Sequence, residues 1–196
     1  MPPAVPAANH PPMEHRAAPK RRNLVETRAR ILAAAQKTFA QVGYSQAGVR
    51  DIAAAADVSP SLLVRYYGSK QGLFRAAMMA AVQREDLFES DKAVFGASMA
   101  RLLATEDLDV RLPAMIVLST GDSEARAITA EITEAHIIAP LADWLGPPDA
   151  HDRAASIIML CTGFVLYTRQ LPLRRPSPTM VDWVARSLQA IVDRKG

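Results

Sequence analysis

The side chains with chemistry to offer crowd into one stretch, "VSPSLLVRYYGSK", Val58 to Lys70. Ser59, Ser61, Arg65, Tyr66 and Lys70 bring hydroxyls, a guanidinium, a phenol and an ammonium close together, and Arg50 stands just upstream. These groups suit hydrogen bonding and charge pairing to phosphates and base edges. They do not suit bond cleavage. The chain has no glycine-rich phosphate loop, nucleophile elbow, CxxC or HExxH. "EITEAH" is no metal motif, because Glu131 and Glu134 share a helix face and His136 lies off it. Neither a cofactor nor an enzymatic activity is expected.

Such groups reach a nucleic acid only from a rigid support. Ser59 is a good N-cap and Pro60 a good first helical residue, which predicts a short helix over Pro60 to Tyr66. A helix over Val49 to Ala56 precedes it, with Val49, Ile52, Ala53 and Ala56 inward. Asp57 breaks that helix, since Asp tolerates the left-handed conformation of a tight turn. Ala53, Val58 and Leu63 are small or apolar and let the two helices cross closely, while Ser61, Leu62, Arg65 and Tyr66 face outward. Gly68-Ser69 starts another helix, from Lys70 to about Glu89. Behind them, Asn23 and Glu26 have capping-box spacing. The helix they start runs to Val42, with Ile31, Ala35, Phe39 and Val42 on one face and Gly43 as its stop. A supporting helix and two short ones joined by a tight turn describe a helix-turn-helix.

Residues 1–22 hold six prolines and the cluster Lys20, Arg21, Arg22 without apolar periodicity, which predicts a disordered arm. It either reaches a minor groove or stays a solvated tail. Charge is unevenly spread. Residues 1–70 carry ten Lys or Arg against four Asp or Glu, and residues 71–196 carry thirteen against sixteen. A basic part that meets phosphate, joined to a part that does not, has this footprint. The 196 residues are 49% hydrophobic and 22% charged, with few aromatics, which fits a soluble all-α fold. One cysteine excludes an intramolecular disulfide and makes a reducing cytoplasm the simplest home. The apolar run Ala155 to Tyr167 is too short to span a bilayer, so no membrane partner is expected.

The segment "VRDIAAAADVSPSLLVRYYGSK", with "RILAAAQKTFAQVGYSQAGVRDIA" before it, resembles the DNA-binding signature of TetR-type transcriptional regulators over residues 26–75. The resemblance implies a role for each matching residue. Arg50 contacts a base or a phosphate; the residues alone also allow a surface ion pair with Asp51 or Asp57. Ser59 and Pro60 begin the recognition helix, Ser61 and Leu62 enter the groove, Tyr66 and Lys70 touch phosphate, and Tyr67 packs inward. The chain departs from the pattern at Val64, Leu62 and Asp57, where tyrosine, a small hydroxyl residue and glycine are usual. Ala47-Gly48 also replaces a Thr-rich approach. Leu62 and Val64 offer apolar contacts suited to thymine methyls.

Residues 23–70 thus form the helix-turn-helix domain, and residues 71–196 form a larger helical domain for ligand binding and dimerisation. Helices are expected near 92–104, 108–119, 122–144, 149–171 and 179–193, roughly nine in all, with Pro113 a possible kink. The helix near 149–171 is apolar most of the way round. Ile157, Ile158, Cys161, Gly163 and Val165 are assigned there to a dimer interface, together with Val181, Val184 and Leu188 of the last helix. Cys161 is otherwise inert packing. Phe88, Phe95, Met99, Leu103, Met115, Leu118, Ile132, His136, Trp144 and Tyr167 are candidates to line a pocket for a small, mostly apolar ligand, His136 standing either in the core or at a rim. The expected function is a homodimeric, ligand-released repressor on a palindromic operator in double-stranded DNA. The alternative is a non-switching, architectural DNA-binding protein whose C-terminal domain only dimerises.

Overall fold

The computed structural model describes residues 19–83, 91–105, 111–171 and 175–194. Among these residues there are helices and connecting turns and no strand, as expected for an all-α chain. Residues 1–18 of the expected arm, Phe88, and the end of the helix predicted to reach Glu89 lie outside the described residues.

α1 (Pro19–Gln46) begins four residues before Asn23, with Pro19 as its first residue, so the last part of the expected arm is helical. Gly43 interrupts it as expected, at φ 75, but the chain then adds one further turn to Gln46. A Cβ at Gly43 would lie 3.3 Å from the carbonyl oxygen of Leu118, so glycine serves both the turn and the contact. α2 (Val49–Ala55) has Ala56 as its C-cap, and Asp57 after it takes the left-handed conformation at φ 54. α3 (Pro60–Tyr67) is capped by Ser59, whose Oγ accepts from the Leu62 amide at 3.2 Å. α4 (Lys70–Val82) is capped by Ser69 in the same way, from Gly72 at 3.0 Å.

A 3₁₀ turn at Lys92–Val94 leads into α5 (Phe95–Ala104), followed by α6 (Arg111–Leu118). Pro113 lies in the first turn of α6, where its missing N–H is not needed, and it does not divide the helix. α7 (Ser123–Thr133) runs through a π-helical turn, Glu134–Ile138, into α8 (Ala139–Leu145). α9 (Ala150–Val165) continues through a second π-helical turn, Leu166–Gln170, and α10 (Pro178–Val192) closes the described chain. Among the described residues, none of the helices is long and apolar enough to cross a membrane.

Two apolar cores hold these helices. Ile31, Phe39, Ile52, Leu63, Phe74 and Met78 of α1 to α4 share the first with Met115 of α6 and Ile128 and Ile132 of α7. That core therefore runs through the expected domain boundary at residue 70. Phe95, Leu103, Leu141, Ile157, Val165, Val184 and Leu188 build the second, and Ile158 packs against both. α5 crosses α10 very closely. A Cβ on Gly96 would lie 2.3 Å from the Ala185 carbonyl oxygen, and the Gly96 amide donates to Gln189 Oε1 at 2.9 Å.

Candidate nucleic-acid interface

α3 presents one apolar and one chemical side. Leu63 is fully buried, and Val58 packs against the same core. Ser61, Val64 and Arg65 are exposed, and Leu62 and Tyr66 are half-buried. Ser59 Oγ and Ser61 Oγ lie 3.0 Å apart, so both hydroxyls sit at the exposed start of the helix beside Pro60. Arg50 is exposed on α2, and the candidate partner Asp57 faces Arg30 instead, at 3.8 Å. The guanidinium therefore projects from the same helix pair as the α3 residues. Tyr67 packs inward as the resemblance implies. Burial raises the pKa of its phenol, which the nearby Arg28 partly offsets.

Lys70, the first residue of α4, is held from below. Its Nζ donates to the Ser45 carbonyl at 3.1 Å and lies 4.7 Å from the centre of the Tyr44 ring. An ammonium has three donors, so this geometry leaves two for an anion. The free N–H groups of the helix start and its dipole favour an anion at the same place. Arg28, which sequence reasoning missed, lies 5.6 Å over the Tyr66 ring. It belongs to the exposed start of α1, where no periodicity singles out any residue. Only the fold, which sets its guanidinium over Tyr66 of α3, brings it to this surface.

The candidate ligand residues are not gathered. Phe95 and Leu103 lie in the second core, with Met99 and Trp144 packed against it. Met115 and Ile132 lie in the first. Leu118, His136 and Tyr167 are exposed, so His136 is neither a core residue nor walled in. The candidate dimer residues also need correction. Ile157, Val165, Val184 and Leu188 are at most 1% exposed in the single chain, and Ile158, Cys161 and Val181 pack against them. Ile157, Val165, Val184 and Leu188 thus belong to the chain's own core, while Ile158, Cys161 and Val181 are half-buried against it. The exposed apolar residues of the same helices are Met159 and Tyr167 on α9 and its π turn, and Met180 and Trp183 on α10. Gly163 is half-buried on α9, and a Cβ there would meet no atom within 4 Å. α9 is apolar on two faces, and the pattern alone does not say which one the chain keeps for itself.

Two family models match the chain. The one described as bacterial regulatory proteins, tetR family, covers residues 31–77. The one described as tetracyclin repressor-like, C-terminal domain, covers residues 93–192. No curated protein matches the chain by sequence. Among solved structures, a transcriptional regulator from Rhodococcus sp. Rha1 is similar at 23% identity, over 84% of this chain and 92% of that one, with a TM-score of 0.62. A regulator from Saccharomonospora viridis in complex with choline is 18% identical over 87% and 97%, with a TM-score of 0.60. NalD of Pseudomonas aeruginosa, the secondary repressor of the MexAB-OprM multidrug efflux pump, is 16% identical over 85% and 95%, with a TM-score of 0.58. At these identities the structural likeness speaks for the fold.

Proposed function

The chain belongs to the TetR family of bacterial transcriptional regulators, and on that premise we propose that it is a repressor, occupying an operator as a homodimer and leaving it when a small molecule binds the C-terminal domain. The observation that carries this reading is the exposed set Arg50, Ser61, Val64 and Arg65 on α2 and α3, with the half-buried Lys70 at the start of α4. α3 enters a major groove with Ser59, Pro60, Ser61, Leu62 and Val64 at the base edges. Arg65, Tyr66, Lys70 and the added Arg28 meet phosphates on either side. Repression follows from occupying DNA that polymerase needs.

Two copies join through Met159 and Gly163 of α9, Tyr167 of the π turn after it, and Met180 and Trp183 of α10. An exposed patch of this kind on a folded chain marks an association surface. The glycine lets the paired helices approach closely. Two recognition helices then read two half-sites. The effector site lies in the C-terminal domain. Its support is a pair of hydroxyls, Thr129 and Thr133, one turn apart on α7. Both are buried, and neither has a hydrogen-bond partner among the described residues. Buried hydroxyls are normally bonded, and a ligand carrying a polar group would satisfy them. A regulator-family structure holding choline makes a small molecule with a polar end a reasonable class.

Genome-wide capture of bound DNA tests the reading. The expected result is a small set of sites sharing an inverted repeat, with half-site centres about one helical turn apart. Scattered enrichment without a shared repeat would contradict it. A small molecule that releases the captured site should also raise the melting temperature, because one linkage governs both. Stabilisers that never alter DNA affinity would instead favour the non-switching alternative.

A further inference from the structure

Where α1 resumes after Gly43, two consecutive side chains reach across to the start of α7. Tyr44 Oη donates to Glu124 Oε2 at 2.5 Å, and Ser45 Oγ donates to Asp122 Oδ2 at 3.2 Å. Asp122 is itself the N-cap of α7, its Oδ1 accepting from the Glu124 and Ala125 amides at 3.0 Å each. These bonds and the neighbouring Lys70 charge hold its carboxyl below the ordinary range, while burial and Glu124 push the Tyr44 phenol well above it. The same two residues, Tyr44 and Ser45, hold Lys70 from below, one by its ring and the other by its carbonyl. The Tyr44 ring is in turn fixed by Phe39 and Phe74, with centroids 6.1 and 5.2 Å away.

We infer that Tyr44 and Ser45, tied to Glu124 and Asp122, are positioning residues that let the C-terminal domain set how Lys70 is presented to a DNA phosphate. The inference rests on the reading of Lys70 as a phosphate contact. Lysine is a flexible point charge, and most of its rotamers would not meet a phosphate at the start of α4. The Ser45 carbonyl and the Tyr44 ring select one. They lie beyond the Gly43 break, so the helix backbone of α1 does not run straight into them. Phe39 and Phe74 pack the Tyr44 ring, and the two bonds to α7 tie the Tyr44 hydroxyl and the Ser45 side chain. A shift of α7 that stretches them would loosen Lys70 without disturbing α3.

The test is a double-mutant cycle on a duplex carrying the captured site, read by affinity and by the slope of affinity against salt. Tyr44→Phe keeps the ring and its packing but loses the bond to Glu124. Glu124→Ala removes the acceptor from an exposed side chain, and so serves if the tyrosine variant folds poorly. With Lys70 present, each should weaken binding about 3- to 10-fold and flatten the salt dependence in the direction of Lys70→Ala. In the Lys70→Ala background, each should change affinity less than about twofold, because coupled residues are not additive. A purely structural role would lower affinity equally in both backgrounds, and that result, or no effect in either, overturns the inference. If Lys70→Ala itself leaves the salt slope unchanged, the phosphate reading fails instead.

Discussion

Met159→Glu combined with Trp183→Glu is expected to leave each chain folded but to separate the dimer, and to lower operator affinity by roughly 10²- to 10⁴-fold. The reasoning starts from exposure in the single chain, 68% for Met159 and 52% for Trp183. A carboxylate at either site is solvated in the separate subunit and disturbs no core packing. In the paired helices it becomes a desolvated charge without a partner, which costs several kcal/mol. The loss of DNA affinity follows from geometry. Two tethered recognition helices bind the second half-site as an intramolecular event, and a separate subunit loses that advantage. Sedimentation and a DNA titration on the same samples check it. A dimer of normal affinity would show that this face is not the interface. Val165→Glu makes the contrast, because that side chain is 1% exposed and its replacement should unfold the chain rather than divide it.

Arg153→Met is expected to cost about 3–5 kcal/mol of stability and to lower the melting temperature by roughly 10 °C or more. Arg153 is 4% exposed, and its guanidinium bonds carbonyls rather than a carboxylate. Nε donates to Ile191 at 2.8 Å, one terminal nitrogen to Gly146 and Pro148 at 2.9 and 3.0 Å, and the other to Val192 at 2.6 Å. Ile191 and Val192 end α10, where carbonyls have no partner within the helix and a positive charge is favoured. Gly146 and Pro148 belong to the turn between α8 and α9. One side chain thus joins the end of α10 to that turn. Methionine fills the space but leaves those carbonyls without this donor, and each buried unmet group costs about 1–3 kcal/mol. Arg153→Lys should recover only part of the loss, since an ammonium lacks the planar fork. Thermal unfolding of the three proteins checks this, and a loss below about 1 kcal/mol for Arg153→Met would contradict the assigned role.

What the sequence made legible is local. Asp57, Ser59, Pro60 and Ser69 announce their turns and caps through chemistry that needs only neighbours a few residues away, and the structure shows each of them in that role. Element order in the C-terminal half was also readable, down to the extent of α10. Long-range choices were not. Both faces of α9 are apolar, so Ile157 and Val165 read as interface residues although they are core. Arg153 reads as an ordinary charge near a helix start, because two of its four partners lie 38 and 39 residues ahead. Tyr44 is a motif aromatic in the sequence, and its bond to Glu124 spans 80 residues. α1 starts at Pro19, earlier than its capping pattern at Asn23 indicates, because a segment rich in proline and basic residues offers no periodicity. The scattered ligand candidates share one cause. Met, Phe and Trp at helical spacing fit a core as well as a pocket, and here most of them are core.

The most direct test of the docking assigned to α2, α3 and α4 is a salt titration of binding to the captured site and to a random duplex, for the parent, Arg50→Ala and Lys70→Ala. Lys70→Ala should weaken both duplexes alike and reduce the salt slope by nearly one counterion per subunit, about two per dimer. Arg50→Ala should cost roughly 1–3 kcal/mol per half-site more on the captured site than on random DNA, as a bidentate base contact requires. Unchanged slopes together with equal losses on both duplexes would mean that this surface does not lie on the DNA, and would contradict the account.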